Sequence, residues 1–385
     1  MTLLHRRNLL TGLCGCAMLG LSGCVTTMAQ DGPMQVGYKP AENTDEGGLW
    51  HIVNKAEADT RRSRHLMRDK EWNEYLVGIV NRLAGEHAKD IRVYLLRTAH
   101  FNATMAPNGM MQVWSGLLVR VDDEAQLAAV IGHEIGHYIQ RHSLARLRAV
   151  RSRADLGVFL SMGFGLAGSV AGMMLMADAY AFTRDQEREA DAIGVELMQR
   201  AGYTPLAASE VWQNIIAENS ADPNRKDGNI LFASHPGSEE RKDTLRKMAA
   251  DAPAGERHAA RYADAMRSIR GMLLEDEIRL RQPERSLVVL ERLLKAAPED
   301  GELHFFVGEV YRLRDADKDR DLAMAAYDKA AAGERPPPAL YRSIGMVEQK
   351  RGNAGAAKVA FNRYLELQPQ AEDRLLIQRL MEPLS

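Results

Sequence analysis

The residues of this sequence best suited to chemistry are His133, Glu134 and His137, which stand together in the run HEIGH. On a helix, positions i and i+4 lie one turn apart on one face, so both imidazoles can bind the same metal ion. Glu134 then lies beside the remaining coordination position, where a carboxylate can act as a general base. The flanking residues are apolar or small, which predicts a buried helix. Because histidine and glutamate are costly to bury unless paired or bound to metal, the run predicts a zinc site.

A catalytic zinc ion needs a third protein ligand and an open position for water. The best candidate is Glu187, which begins a predicted helix that ends at Arg200. Asp191 lies on the same face, where it can accept a hydrogen bond from the outer N–H of a ligating histidine. The alternative is that the two acids form a solvated face with the neighbouring arginines. A purely structural zinc site is disfavoured, because such sites usually have four Cys or His ligands.

The elements that must position these residues can be traced upstream. A helix is predicted from Trp50 to Leu83 by its apolar spacing. Strand-like runs follow at Ile91 to Leu96, Phe101 to Met105 and Met111 to Leu118. The last two flank Pro107-Asn108-Gly109, which predicts a hairpin turn. Asp123 is the expected N-cap of the HEIGH helix, with Gln126 three residues later as in a capping box.

The first residues have the pattern of an exported protein. A positive start, His5 to Arg7, precedes the apolar stretch Leu9 to Leu21, which predicts a secretory signal over residues 1–23. The ending LSGC resembles a bacterial lipobox, which implies cleavage before Cys24 and lipidation of its thiol. The alternatives are an ordinary signal with a chance cysteine and, from the paired arginines, a twin-arginine signal. The polar residues 24–49 are expected to be a flexible tether.

The segment 156–177 contains no charged residue and is long enough to span a bilayer. A single crossing is excluded if His133 and Glu187 bind one ion, because both must lie about 2 Å from it. The hydrocarbon core would separate them by about 30 Å. The glycine content therefore favours a packed hairpin or a mobile lid over the active site, with membrane dipping as the alternative.

From about residue 261 to 385 the sequence predicts helices only. Two segments share a spacing of small and aromatic residues: Val307-Gly308, Tyr311, Ala323, Tyr327 and Ala330, and then Ile344-Gly345, Gly352, Ala357, Phe361 and Pro369. This spacing resembles the tetratricopeptide (TPR) repeat, a helix–turn–helix unit of about 34 residues. A plain helical bundle is the alternative.

The HEIGH run followed by Glu187-Arg188-Glu189-Ala190-Asp191 resembles metallopeptidase family forty-eight, the family of HtpX and BepA. The resemblance runs from about Trp50 to Met248. It implies an α+β zincin-like domain, mostly helical with a small sheet, over residues 50–260, followed by the all-α repeats. It also implies one Zn²⁺ per chain, with His133, His137 and Glu187 as ligands and Asp191 behind them.

Further motifs of the family imply roles for other residues. Phe101-Asn102-Ala103 matches the edge strand beside the active site, so Asn102 and Ala103 would hold substrate by adding it as a strand. Ser115 to Leu118 matches the next strand. His235-Pro236 and Arg241 match a late motif that can stabilise the oxyanion, or His235 can occupy the fourth zinc position and hold the enzyme off. Tyr180 is a weaker oxyanion candidate, and His142 is expected at the surface.

These features together predict a zinc-dependent metalloendopeptidase of the bacterial cell envelope. Its substrates would be unfolded or stalled envelope proteins, its TPR surface would bind protein partners, and a lipid anchor at Cys24 would hold it to the periplasmic side of a membrane, the outer membrane by resemblance. The alternative is a TPR scaffold or chaperone with an autoinhibited or silent zinc site. The net charge of −2, without a basic stripe, argues against nucleic-acid binding.

Overall fold

The structure, a computed structural model, describes residues 32–150, 182–222, 235 and 238–382. The predicted signal with Cys24, the apolar segment 156–177 and Tyr180 lie outside the described residues. The described part is mostly helical with one three-stranded sheet, as the predicted fold class requires. Among the described helices, none combines the length and the apolar character that crossing a membrane demands.

The first part of the chain supplies the helices and strands that surround HEIGH. They are α1 (Asp45–Arg62), α2 (Lys70–Ala84), a 3-10 turn (Gly85–Asp90), β1 (Arg92–Leu96), β2 (Ala103–Met105), β3 (Met110–Trp114), α3 (Ser115–Arg120), α4 (Glu124–Ile139), α5 (His142–Val150), α6 (Arg184–Arg200), α7 (Leu206–Ser220) and α8 (Ser238–Ala250). Local signals explain several of the starts. The side chains of Thr44 and Asp69 accept hydrogen bonds from first-turn amides of α1 and α2.

The sheet has the strand order β1-β3-β2, with β1 parallel and β2 antiparallel to β3. The predicted hairpin is confirmed, and Gly109 takes φ +88° in its turn. The prediction that the third strand continues to Leu118 is wrong, because residues from Ser115 onward form α3. There the side-chain hydroxyl of Ser115 and the backbone amide of Gly116 both donate to the Thr98 carbonyl, and the chain turns out of the sheet.

Helix α4 carries HEIGH, and Asp123 caps it as predicted by accepting from the amide of Gln126. The Gln126 side chain accepts from the amide of Asp122, one residue before the position that a capping box uses. Helix α6 ends at Arg200 as predicted but begins at Arg184, capped by Thr183 in a complete capping box. Both helices that carry the candidate ligands are therefore fixed by local hydrogen bonds at their N-termini.

Part of the predicted tether is folded. Met34 is 4% exposed and Leu49 is 1% exposed, and both pack in the interior. The backbone amide of Met34 donates to the carbonyl of Ile139 at the end of α4. Within residues 24–49, Met34 and Leu49 are therefore buried, and Met34 is bonded to the end of the metal-site helix.

The later helices are α9 (Ala259–Met266), α10 (Arg270–Arg279), α11 (Pro283–Ala296), α12 (Gly301–Arg314), α13 (Asp319–Ala332), α14 (Ala339–Lys350), α15 (Ala354–Leu367) and α16 (Arg374–Met381). Helices α12 and α13 pack together, and so do α14 and α15. A Cβ on Gly308 would lie 2.2 Å from the Tyr327 ring, and one on Gly345 would lie 2.5 Å from the Phe361 ring. The small–aromatic spacing thus marks helix contacts, while the assignment of these pairs as TPR units stays a prediction.

The later helices share a core with the first part of the chain. Buried Arg120 of α3 contacts Glu277 of α10 at 2.8 Å, and Arg97 contacts Asp276 at 2.5 Å. The domain boundary predicted at residues 260 and 261 stays a prediction. The residues before it and after it contact each other through this shared core and these ion pairs.

Candidate metal centre

Four buried side chains present ligand atoms to one point: His133, His137, Glu187 and His235. The first two come from α4 and the third from the first turn of α6. His235 lies just before α8. All four ligand atoms lie within 4.8 Å of one another. The structure therefore brings together the three predicted ligands and the histidine of the late motif.

The spacing of these atoms fits a tetrahedral metal shell. Zn–N and Zn–O bonds of about 2.0–2.2 Å place neighbouring ligand atoms about 3.3 Å apart. The Nε2 atoms of His133 and His137 lie 3.0 Å apart, and Glu187 oxygens lie 3.5 and 3.4 Å from them. His235 Nδ1 lies 3.2 Å from His133 Nε2 and 2.9 Å from Glu187 Oε1. The donor set of three imidazoles and one carboxylate suits Zn²⁺.

The outer ring nitrogens explain why the inner ones face a cation. His133 Nδ1 lies 3.0 Å from Asp191 Oδ1, which can only accept, so this nitrogen carries the proton. Nδ1 of His137 lies 2.8 Å from Nδ1 of His142. With protons on both outer nitrogens, both inner Nε2 atoms expose lone pairs beside the Glu187 carboxylate. Several acceptors converge on one buried point, which is the arrangement that a bound metal ion requires.

Close helix packing brings α6 to this point. A Cβ on Gly136 of α4 would lie 2.8 Å from the carbonyl oxygen of Ala190, and one on Gly194 would lie 3.0 Å from the amide nitrogen of His133. Gly136, the glycine of HEIGH, therefore has a steric purpose. It lets the backbone of α6 approach closely enough for Glu187 to reach both histidines.

Arg241 of α8 holds the two acids of α6. Its guanidinium donates to Asp191 at 2.8 and 2.6 Å, and Nη1 lies 2.5 Å from Glu187 Oε2. Its other face lies over the Trp212 ring, 4.1 Å from the centroid. Burial alone would raise the pKa of Asp191, but the charge and hydrogen bonds of Arg241 lower it. Asp191 therefore stays ionised as the acceptor for His133, and the oxyanion role of Arg241 stays a prediction.

Glu134 lies beside the ligand set and is 3% exposed. Its Oε1 atom has no hydrogen-bond partner among the described residues and lies 3.6 Å from His235 Nε2. Burial raises the pKa of Glu134, against the opposing charges of His235 and His133. A carboxylate with a raised pKa and a free oxygen is suited to accept and return a proton.

Ala103 begins β2, an edge strand of the sheet that contacts α4, and Asn102 directly precedes it. Both are buried, and Asn102 Oδ1 has no hydrogen-bond partner among the described residues. The structure thus places them next to the helix of the metal ligands. Their role in holding substrate stays a prediction.

Two residues of the centre, His142 and Phe182, were not predicted from the sequence. The expectation of a surface His142 is wrong: it is 4% exposed and touches His137. Phe182 stacks on the His137 ring with centroids 3.9 Å apart. The sequence signal for His142 is its position five residues after His137. That signal is weak, because only the turn between α4 and α5 brings the side chain back to the ligand.

A mostly helical domain with a small sheet and a buried HExxH–Glu ligand cluster defines a zincin-like metallopeptidase domain. The comparison with protein families agrees, since residues 68–249 match peptidase family M48. The matched residues, just under half of the chain, include all four side chains of the cluster.

Several curated proteins are similar to this chain. The beta-barrel assembly-enhancing protease of Yersinia pestis is 30% identical over 204 residues, which cover 49% of this chain and 41% of that protein. The mitochondrial metalloendopeptidase OMA1 of Schizosaccharomyces pombe is 30% identical over 158 residues, 40% of this chain and 45% of that protein. The metalloprotease YcaL of Escherichia coli is 27% identical over 241 residues, 59% of this chain and 91% of that protein. The match thus spans under half the length of the first two relatives.

Proposed function

We propose that this chain is a zinc-dependent metalloendopeptidase that acts in the bacterial cell envelope. The observation that carries the proposal is the near-tetrahedral spacing of His133, His137 and Glu187, with the free oxygen of Glu134 beside them. The M48 match over residues 68–249 supports the same class of reaction.

Each residue of the centre would have a separate role in peptide hydrolysis. Zn²⁺ held by His133, His137 and Glu187 would lower the pKa of a water molecule toward about 7 and polarise the scissile carbonyl. Glu134 Oε1 takes the proton from the attacking water and returns it to the leaving amine. Its oxygen has no other hydrogen-bond partner among the described residues, so it is available for both transfers. Asp191 and Arg241 keep the ligands in place during the reaction.

Two surfaces are suited to a polypeptide substrate. The edge strand β2 can pair with an extended peptide, and main-chain pairing tolerates many sequences. An apolar cavity of about 450 Å³, mouth included, lies beside His133 and Glu134, with Val130, Val211 and Leu245 in its walls. The apolar walls would contact a substrate side chain next to the scissile bond. Both surfaces favour unfolded polypeptides, which expose backbone and apolar groups together.

The test is metal content and casein cleavage by the purified chain. We expect one Zn²⁺ per chain, and Glu134→Gln should abolish cleavage while zinc stays bound, because only the base is lost. The matched control is Glu196→Gln, an exposed glutamate of α6, which should keep full activity. Full cleavage by Glu134→Gln, or a wild-type chain without zinc, would refute the proposal.

The position of His235 supports the alternative function, an autoinhibited enzyme. Its Nδ1 lies 3.2 Å from His133 Nε2 and 2.9 Å from Glu187 Oε1, a spacing that supports His235 as a fourth ligand in place of water. We propose that this arrangement is the closed state and that substrate displaces His235. His235→Ala should then raise casein cleavage and leave zinc bound. Unchanged cleavage with unchanged zinc retention would show that His235 does not gate the centre.

The envelope location rests on the predicted signal and on relatives such as the beta-barrel assembly-enhancing protease. We propose a periplasmic chain anchored through lipidated Cys24, with the helix pairs after residue 301 as the surface for protein partners. Cys24→Ala should release the protein from the membrane fraction of cells. If the variant and the wild type fractionate alike, the anchor is elsewhere.

A further inference from the structure

A second hydrogen-bonded chain, separate from Asp191 and Arg241, runs outward from the metal centre. Nδ1 of His137 lies 2.8 Å from Nδ1 of His142, and Nε2 of His142 lies 3.2 Å from Oε2 of Glu189. The His142 side chain is 5% exposed, whereas the Glu189 side chain is 50% exposed. The chain thus leads from a buried ligand through a buried histidine to a carboxylate in solvent.

The order of donors along this chain follows from its ends. Glu189 can only accept when it is ionised, so Nε2 of His142 carries a proton and donates to it. A neutral His142 then has a bare Nδ1, which accepts from Nδ1–H of His137. That leaves Nε2 of His137 with a lone pair facing Glu187 and His133, as a metal ligand requires.

The turn before His142 directs this side chain toward His137. Helix α4 ends at Ile139, and Arg141 takes φ +56°, a left-handed conformation that is uncommon without glycine. Arg141 pairs with buried Glu46, and its guanidinium lies 5.0 Å from the centroid of the Tyr38 ring. Residues from the N-terminal segment therefore hold the turn that returns His142 to the ligand.

We propose that His142, oriented by Glu189, is a positioning residue that fixes the ring orientation and tautomer of His137 for the metal. The proposal rests on the proposed function, because it assumes that His137 is a metal ligand. It differs from the role of Asp191, which supports the other histidine. The two ligands of HEIGH would then have separate supports, a direct carboxylate for His133 and a histidine–carboxylate pair for His137.

The experiment measures Zn²⁺ affinity of the full chain by competition with a chromophoric chelator. His142→Phe keeps a ring of similar size but removes both nitrogens. We expect it to weaken zinc binding roughly 10- to 100-fold, the usual effect of losing an outer hydrogen-bond partner. His142→Asn offers an amide oxygen to His137 and should recover most of the affinity. Glu189→Ala should weaken binding in the same direction, whereas Glu196→Ala on the same helix should not.

A second readout separates positioning from general damage. The absorption spectrum of the Co²⁺-loaded chain reports ligand geometry and should change in His142→Phe and return toward wild type in His142→Asn. Urea unfolding of the metal-free chains should give similar midpoints for all variants. Zinc affinity of His142→Phe within twofold of wild type would overturn the proposal. If His142→Phe does not fold, an unchanged affinity of Glu189→Ala overturns it. A wild-type chain that binds no zinc would refute the proposed function itself.

Discussion

The glycine at position 136 offers a test of how the metal centre is assembled. In Gly136→Ala, the new Cβ would lie 2.8 Å from the Ala190 carbonyl oxygen, whereas ordinary contacts begin at 3.4 Å. Helix α6 must therefore retreat by about 0.6 Å, the difference between these distances. Glu187 lies one helical turn before Ala190 and would move with it. Because metal–ligand distances tolerate about 0.2 Å, the shift should weaken zinc binding, by about tenfold or more.

The stability change can be worked out in the same way. Glycine to alanine inside a helix gains about 1 kcal/mol, but overpacking costs about 1–3 kcal/mol. We expect Gly136→Ala to lower the free energy of unfolding by about 1 kcal/mol. The matched control is Gly78→Ala on α2, whose Cβ would meet only the end of the Arg82 side chain at 3.9 Å. That control should gain about 0.5–1 kcal/mol.

The assay is urea unfolding in the presence of a chelator, followed by zinc competition on the folded chains. If Gly136→Ala is as stable as Gly78→Ala and binds zinc as tightly as the wild type, the close crossing of α4 and α6 does not position Glu187. The steric reasoning would then be refuted, whatever the catalytic activity.

Three further predictions concern stability. Arg120 is buried against Glu218 and Glu277, so Arg120→Met should lower the free energy of unfolding by about 3–5 kcal/mol in urea titrations, and an unchanged midpoint would contradict this. Burial opposes ionisation of Glu57, but hydrogen bonds led by Arg92 lower its pKa from 4.5 to about 2. Its stabilising contribution should be full above pH 4.5 and fall away as the pH drops toward 2, and Glu57→Gln should flatten this slope in unfolding measured against pH. Zinc removal should lower the melting temperature, and free zinc at 1,000 times its dissociation constant should restore about 4 kcal/mol, whereas equal melting curves would exclude a bound metal in the native state.

Local patterns predicted a substantial part of the fold. The cap of α4, the end of α6 at Arg200 and the hairpin at Gly109 all follow from short-range hydrogen bonds or backbone preferences. The prediction that the strand continues through Ser115 to Leu118 rests on the hairpin turn before it and on the family resemblance, and neither feature fixes where the strand ends. The side-chain hydroxyl of Ser115 and a backbone contact to Thr98 decide the outcome.

The contact between His142 and the metal centre could not be predicted from the sequence. A histidine three residues past the end of a helix has no predictable direction, because the φ of Arg141 sets where the next helix starts. That angle is held by Glu46 and Tyr38, which are far away in the sequence. The same holds for Arg241, whose hydrogen bonds to Asp191 required α8 to pack against α6.

The sequence alone determined that His133 and His137 share one helix face, because the helical repeat places residues four apart one turn from each other in any fold. It also supplied Glu187 on a helix of its own. The tertiary structure decided that the carboxylate reaches the histidines, through the crossing of α4 and α6 at Gly136. It also decided what stands behind each ligand, Asp191 for one histidine and His142 for the other. Periodicity is local, whereas the distance between two helices depends on the packing of the whole core.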